Sequence, residues 1–124
     1  MKLRRLREEE PLDSGVMVVR GGELDPVVLR TVALRYQEIY GTYGISVFAL
    51  RGVALEELAQ QTPLVRFGRL TLIQVSRLTN FGFRLEPTGR SPYHYTVGFD
   101  DLAAGVGSLA GCEHEVVANP YHEP

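Results

Sequence analysis

Apolar positions in this chain come in short runs whose spacing alternates between the two-residue period of a strand and the 3.6-residue period of a helix. Val16-Met17-Val18-Val19 is a continuous apolar run that stops at Arg20 and the turn pair Gly21-Gly22, which predicts a buried strand. Asp25 then stands at an N-cap position and Pro26 at the first helical one. Leu29, Val32, Ala33, Tyr36, Ile39 and Tyr40 recur at helical spacing until Gly41, so a helix is predicted over 25–40. The β-formers of Ile45-Ser46-Val47-Phe48-Ala49-Leu50 predict a central strand.

A shorter helix is predicted over 53–61, closed by Thr62-Pro63, and a short strand or extended connection over 64–70. Residues 71–80 are read as a third helix with Leu72, Ile73, Val75 and Leu78 on its apolar side. A continuous strand is the alternative there, which leaves helix against strand open over 64–80. Residues 83–86 alternate, with Phe83 and Leu85 toward the core and Arg84 and Glu86 outward. Pro87-Thr88-Gly89-Arg90-Ser91-Pro92 supplies a turn, and the return strand sets Tyr93, Tyr95 and Val97 on one face and His94 and Thr96 on the other. A helix interrupted by Gly105 and Gly107 is predicted over 100–110, and an edge strand over 113–118.

The order is roughly β-α-β-α-α-β-β. It predicts a single α+β domain over 1–124, with a mixed or antiparallel sheet whose C-terminal-half hairpin packs against two or three helices. Residues 1–12 form a polar N-terminal arm and 111–124 an acidic C-terminal tail.

At 124 residues and 44% hydrophobic, the chain can bury a core without disulfides or a structural metal. Its single cysteine, Cys112, has no partner for a bridge and no basic neighbour to activate it, which points to a reducing compartment, the cytoplasm. The basic start turns acidic at Glu8-Glu9-Glu10, where a signal peptide needs an apolar core. No run reaches membrane-spanning length, so no membrane partner is expected.

Charge is uneven. The net charge is -2, yet residues 64–97 hold Arg66, Arg69, Arg77, Arg84 and Arg90 against the single acid Glu86, a local +4. Residues 100–124 hold Asp100, Asp101, Glu113, Glu115 and Glu123 with no lysine or arginine, so an acidic tail able to mask a basic face is expected.

The predicted hairpin gathers the parts of a metal-independent ribonuclease. Such an enzyme needs a proton acceptor for the ribose 2′-hydroxyl, a donor for the leaving oxygen, and cations for the phosphorane. His94 suits base or acid, Tyr93 and Tyr95 suit stacking or proton donation, and the five arginines suit phosphate. Small toxin-type endoribonucleases use this economy of parts, an analogy of chemistry alone.

A second constellation resembles one class of ADP-ribosyltransferases. Arg20, Ser46 and the pair Glu113 and Glu115 occur in that family's order of arginine, serine and paired acids. The resemblance implies NAD phosphates on Arg20, nicotinamide support from Ser46, and stabilisation of an oxocarbenium-like transition state by Glu115. Glu113, His114, Glu115 and His122 match no zinc or calcium spacing, and Gly21-Gly22 and Gly105-x-Gly107 match no phosphate loop, so no metal or cofactor is expected.

The leading expectation is a cytoplasmic, bacterial-type protein that engages RNA or another polyanion through the hairpin, extending to toxin-type RNA cleavage, with an antitoxin-like protein partner. The alternative is a non-catalytic interaction or homodimerisation module anchored by Tyr40, Tyr43, Phe67 and Phe81.

Overall fold

Val18 and Val19 are neighbours on one strand and both are buried, 1% and 0% exposed, so the sheet they belong to is covered on both faces. The computed structural model describes all 124 residues. Strand β1 is Met17–Gly21 and helix α1 is Pro26–Tyr40. The Asp25 side chain accepts from the backbone N–H groups of Val27 and Val28, and Gly41 ends the helix in the left-handed conformation that lacks a Cβ penalty. There follow β2 Tyr43–Ala49, α2 Leu55–Ala59, a single 3₁₀ turn Leu64–Arg66, β3 Arg69–Gln74, α3 Val75–Thr79, β4 Arg84–Pro87, β5 His94–Phe99, α4 Leu102–Gly111 and β6 Glu115–Ala118. The four helices pack on one six-stranded antiparallel sheet of order β4-β5-β2-β1-β3-β6, an α+β fold.

The expected helix over 71–80 is corrected: β3 runs through Gln74 and passes directly into α3. Leu70 and Leu72 pack into one hydrophobic cluster and Ile73 into the other. A strand flanked on both sides by β1 and β6 carries apolar residues on both faces, and Leu70, Leu72 and Ile73 followed by Val75 and Leu78 imitate helical spacing.

The larger cluster joins Val18, Ile45, Val47, Ile73, Tyr95, Val97 and Phe99 of the sheet to Leu29 and Ala33 of α1, Leu78 of α3, and Val106 and Leu109 of α4. The smaller one joins Val19, Leu70 and Leu72 to Leu58, Ala59 and Leu64.

Two glycines of α4 separate packing from propensity. A Cβ on Gly105 would lie 2.2 Å from the Phe99 ring, whereas one on Gly107 meets nothing within 4 Å. Gly107→Ala is expected to stabilise the protein by about 0.5–1 kcal/mol through helix propensity. Gly105→Ala is expected to destabilise it by about 1–3 kcal/mol through overpacking, and urea unfolding of the two variants checks both signs.

The N-terminal arm is bound rather than free. Leu6 bridges Thr88, the Arg7 N–H donates to the Pro87 carbonyl at 2.9 Å, and the Gly89 N–H donates to the Arg5 carbonyl at 3.0 Å. Both Arg4 terminal nitrogens donate to Glu86, each at 2.9 Å. The arm thus pairs with the end of the β4 edge at Pro87 and with the turn that follows it.

At the other end of the chain, buried Asn119 donates from Nδ2 to the carbonyls of Ala59 and Leu64, at 3.1 and 3.2 Å, and the Glu123 N–H donates to the Val65 carbonyl at 2.9 Å. The tail is therefore fastened to α2 and the 3₁₀ turn. No helix is long and apolar enough to cross a membrane.

Candidate functional site

The turn between β4 and β5 is held open by Arg7, 81 or more positions away in sequence. Its guanidinium donates to the carbonyls of Thr88, Gly89 (3.4 Å), Pro92 (3.3 Å) and His94 (2.9 Å), and its Cζ lies 5.4 Å from the centroid of the Tyr95 ring. Carbonyls that converge in a tight turn repel one another, and a planar fork of five N–H donors satisfies several at once. Gly89, at φ +77°, supplies the left-handed residue of the turn.

His94 is half-buried at the start of β5. Its Nδ1 lies 2.9 Å from the Thr88 carbonyl oxygen, which can only accept, so Nδ1 carries the proton and Nε2 keeps its lone pair. The Thr88 hydroxyl stands 3.1 Å from the same nitrogen, and the rings of His94 and Phe48 meet edge to face at 5.3 Å. Burial lowers the His94 pKa below the ordinary value of 6.5; the Thr88 carbonyl opposes the shift and the Arg7 charge adds to it.

Below pH 6.5 the unfolded chain therefore binds a proton that folded His94 refuses. The stabilisation is complete above that value and is lost as pH falls through the lower folded pKa. Stability curves between about pH 7.5 and 5 are expected to fall less steeply for His94→Gln than for the parent.

From Thr88 a line of hydroxyls runs over β5 to helix α1. Thr88 Oγ1 is 2.7 Å from Thr96 Oγ1, which is 3.1 Å from Tyr36 Oη. Thr96 is 0% exposed, so the side of β5 that alternation assigns to solvent is instead covered. Gly44 makes room: a Cβ there would lie 2.6 Å from the Thr96 methyl and 2.8 Å from the Tyr36 ring.

The candidate residues divide sharply by position. Tyr93 is part-buried against the smaller cluster. Tyr95 is 1% exposed and its hydroxyl has no hydrogen-bond partner, so it lies beneath any ligand that sits on the hairpin. Arg84 pairs with Asp100 at 3.0 Å, Arg77 with Glu113 at 2.8 Å, and Arg69 faces Glu23 at 3.8 Å.

The five arginines do not converge. Three strands lie between β4, which carries Arg84, and β3, which carries Arg69, a separation of roughly 19 Å at the usual strand spacing. Arg66 sits on the 3₁₀ turn. Only Arg90 is at the hairpin tip, exposed and with no carboxylate within 4.0 Å, and the arm brings exposed Arg5 beside it. A cavity of about 110 Å³ adjoins the turn, lined by Phe48, Leu58, Gln61, Thr62, Leu64 and Ser91.

Sequence reasoning misses Arg5, Arg7 and Thr88, because an arm rich in charge looks solvated. The only local hint is the single apolar Leu6 among its arginines.

The NAD constellation is not brought together. Arg20 Nη1 donates to the Ser46 carbonyl at 3.1 Å, but Glu115 is on β6, beyond β1 and β3, at least about 14 Å from β2. Glu113 is held by Arg77.

His114 Nδ1 meets the Cys112 carbonyl at 2.7 Å, His122 lies beside Gly68, and no three His, Cys, Asp or Glu groups form a metal cluster. Cys112 is buried, which pushes its thiol pKa up. Of the four aromatic anchors, Phe81 and Phe67 are 55% and 40% exposed. Tyr40 leans on Tyr36, and Tyr43 stacks on Phe99. Comparison with protein-family models, curated proteins and solved structures returns no match.

Proposed function

We propose that the tip of the β4–β5 hairpin, with the docked arm, binds a phosphate-bearing polyanion, RNA in the first place, and cleaves it without metal. The observation that carries this reading is the anchoring of His94 Nδ1 on the Thr88 carbonyl, which leaves Nε2 as a free base held in one orientation. Its lowered pKa keeps it neutral at physiological pH, the state a general base needs. Nε2 takes the proton of the ribose 2′-hydroxyl, whose oxygen attacks phosphorus. The 5′-oxygen leaves with a proton taken from water as the P–O5′ bond breaks, and the products are a 2′,3′-cyclic phosphate and a free 5′-hydroxyl. Arg90 and Arg5 are the cations for the phosphate, while Arg7 fixes the turn.

Incubation of the protein with structured and unstructured RNA, with and without EDTA, tests the reaction. Cyclic phosphate ends that survive chelation support it, and no cleavage of any RNA rejects it. Binding over a salt series tests the ligand. The slope of log affinity against log salt is expected to drop by roughly one unit for each phosphate that the Arg5→Ala, Arg90→Ala variant no longer neutralises.

A protein-binding module is the second reading. It is favoured by an apolar groove of about 180 Å³ beside β6, lined by Leu55, Ala59, Leu70, Val117, Pro120 and Tyr121. Partner capture that persists at high salt and is lost on Tyr121→Ala would favour that reading instead.

A further inference from the structure

Four arginines of the protein are part-buried: Arg4, Arg7, Arg20 and Arg51. Arg4 is paired with Glu86 at 2.9 Å, and Arg7 and Arg51 share Glu9 at 3.5 and 3.1 Å. Arg20 has no carboxylate within 4.0 Å. Its only side-chain hydrogen bond runs from Nη1 to the Ser46 carbonyl, 3.1 Å away, so the rest of its five N–H donors have no partner in the protein. Burial alone acts on its ionisation and lowers its pKa below the ordinary arginine value. A guanidinium partly withdrawn from water with no anion beside it is less favourable than a paired one, and its unpartnered N–H groups keep access to solvent, where an anion can reach them.

The backbone around it is also unusual. The β1–β2 ladder stops at Val19 opposite Phe48, although β1 continues to Gly21 and β2 begins at Tyr43. Each strand stays paired to its outer neighbour over the same stretch: Arg20 with Thr71 and Gly21 with Leu70 on one side, Tyr43 with Phe99 and Ser46 with Thr96 on the other. The sheet therefore splits in its middle, between β2 and β1, and Arg20 stands in the split. Next to Arg20, the exposed Phe67 ring fills the space that a Cβ on Gly21 would take.

We propose that the split between β1 and β2 is an oxyanion site in which Arg20 binds the phosphate or carboxylate group of a small molecule. The planar fork of donors matches two oxygens of either group, and the anion supplies the countercharge that the chain itself omits. The site uses none of the hairpin cations, so it stands or falls independently of RNA cleavage.

Thermal unfolding in inorganic phosphate, in acetate, and in chloride of matched ionic strength tests the proposal. A rise of a few degrees in the midpoint over chloride is expected for the parent and for the Arg5→Ala, Arg90→Ala variant, and its loss is expected in Arg20→Gln. Phosphate acting alone identifies a phosphoryl ligand, and acetate acting alone a carboxylate. Should Arg20→Gln fail to fold, amide resonances of the parent titrated with phosphate decide the matter: shifts centred on Gly21 and Ser46 support the site. An unchanged midpoint in the parent, an undiminished rise in Arg20→Gln, or the absence of any shift at Gly21 and Ser46 would overturn it.

Discussion

Replacing His94 by alanine is expected to slow RNA cleavage by roughly 10²–10⁴-fold, the usual contribution of a positioned acid or base. The expectation follows from a ring whose Nδ1 is fixed on Thr88, 2.9 Å away, and whose other nitrogen is left free. Circular dichroism of the variant should match the parent, because His94 lies on the part-buried margin of β5 rather than among the fully enclosed residues. Rate against pH gives an independent readout: the parent should keep its activity somewhat below pH 6.5, since burial holds the His94 pKa under that value. Tyr95→Phe is the control. Its hydroxyl is buried and unpartnered, so removing it should leave cleavage intact. Undiminished cleavage in His94→Ala would pass the acid–base role to Tyr93.

The largest loss of stability is expected from Leu29→Ala. Leu29 is 0% exposed on α1 and belongs to the cluster that also takes in Ile45, Val97, Val106 and Leu109. Truncation removes burial and leaves a cavity between elements that cannot close over it, at a cost of about 2–5 kcal/mol. Against a total of roughly 5–15 kcal/mol for a domain, that is a large share. Urea denaturation should show a lower midpoint with an unchanged slope. Val27, two positions earlier and 74% exposed, should tolerate alanine within about 0.5 kcal/mol. Equal losses at both positions would show that α1 is held by something other than its buried stripe.

Helix α1 and the β4–β5 hairpin are legible in the sequence because their determinants are local. Asp25, Pro26 and Gly41 act on backbone groups within a few residues, and the alternation around Pro87–Pro92 needs no distant partner to be read. Strand β3 is not legible in the same way. Leu70-Thr71-Leu72-Ile73 suits helix or strand equally, and the pairing with β1 and β6 on either side makes the choice.

The candidate site divides along the same line. Sequence alone puts His94 next to a turn rich in arginine and tyrosine, and it measures a local charge of +4 along the chain. Tertiary structure disperses that charge, because neighbours in sequence on β3, α3 and β4 are delivered to different parts of a six-stranded sheet where acids neutralise three of the five arginines. It also brings Arg7 onto the turn, buries Tyr95 and Thr96, and leaves Arg20 in a split with no acid. Steric limits and capping act over a few residues and can be read in order. Electrostatics and burial depend on distance through space, and only the meeting of the strands sets those distances.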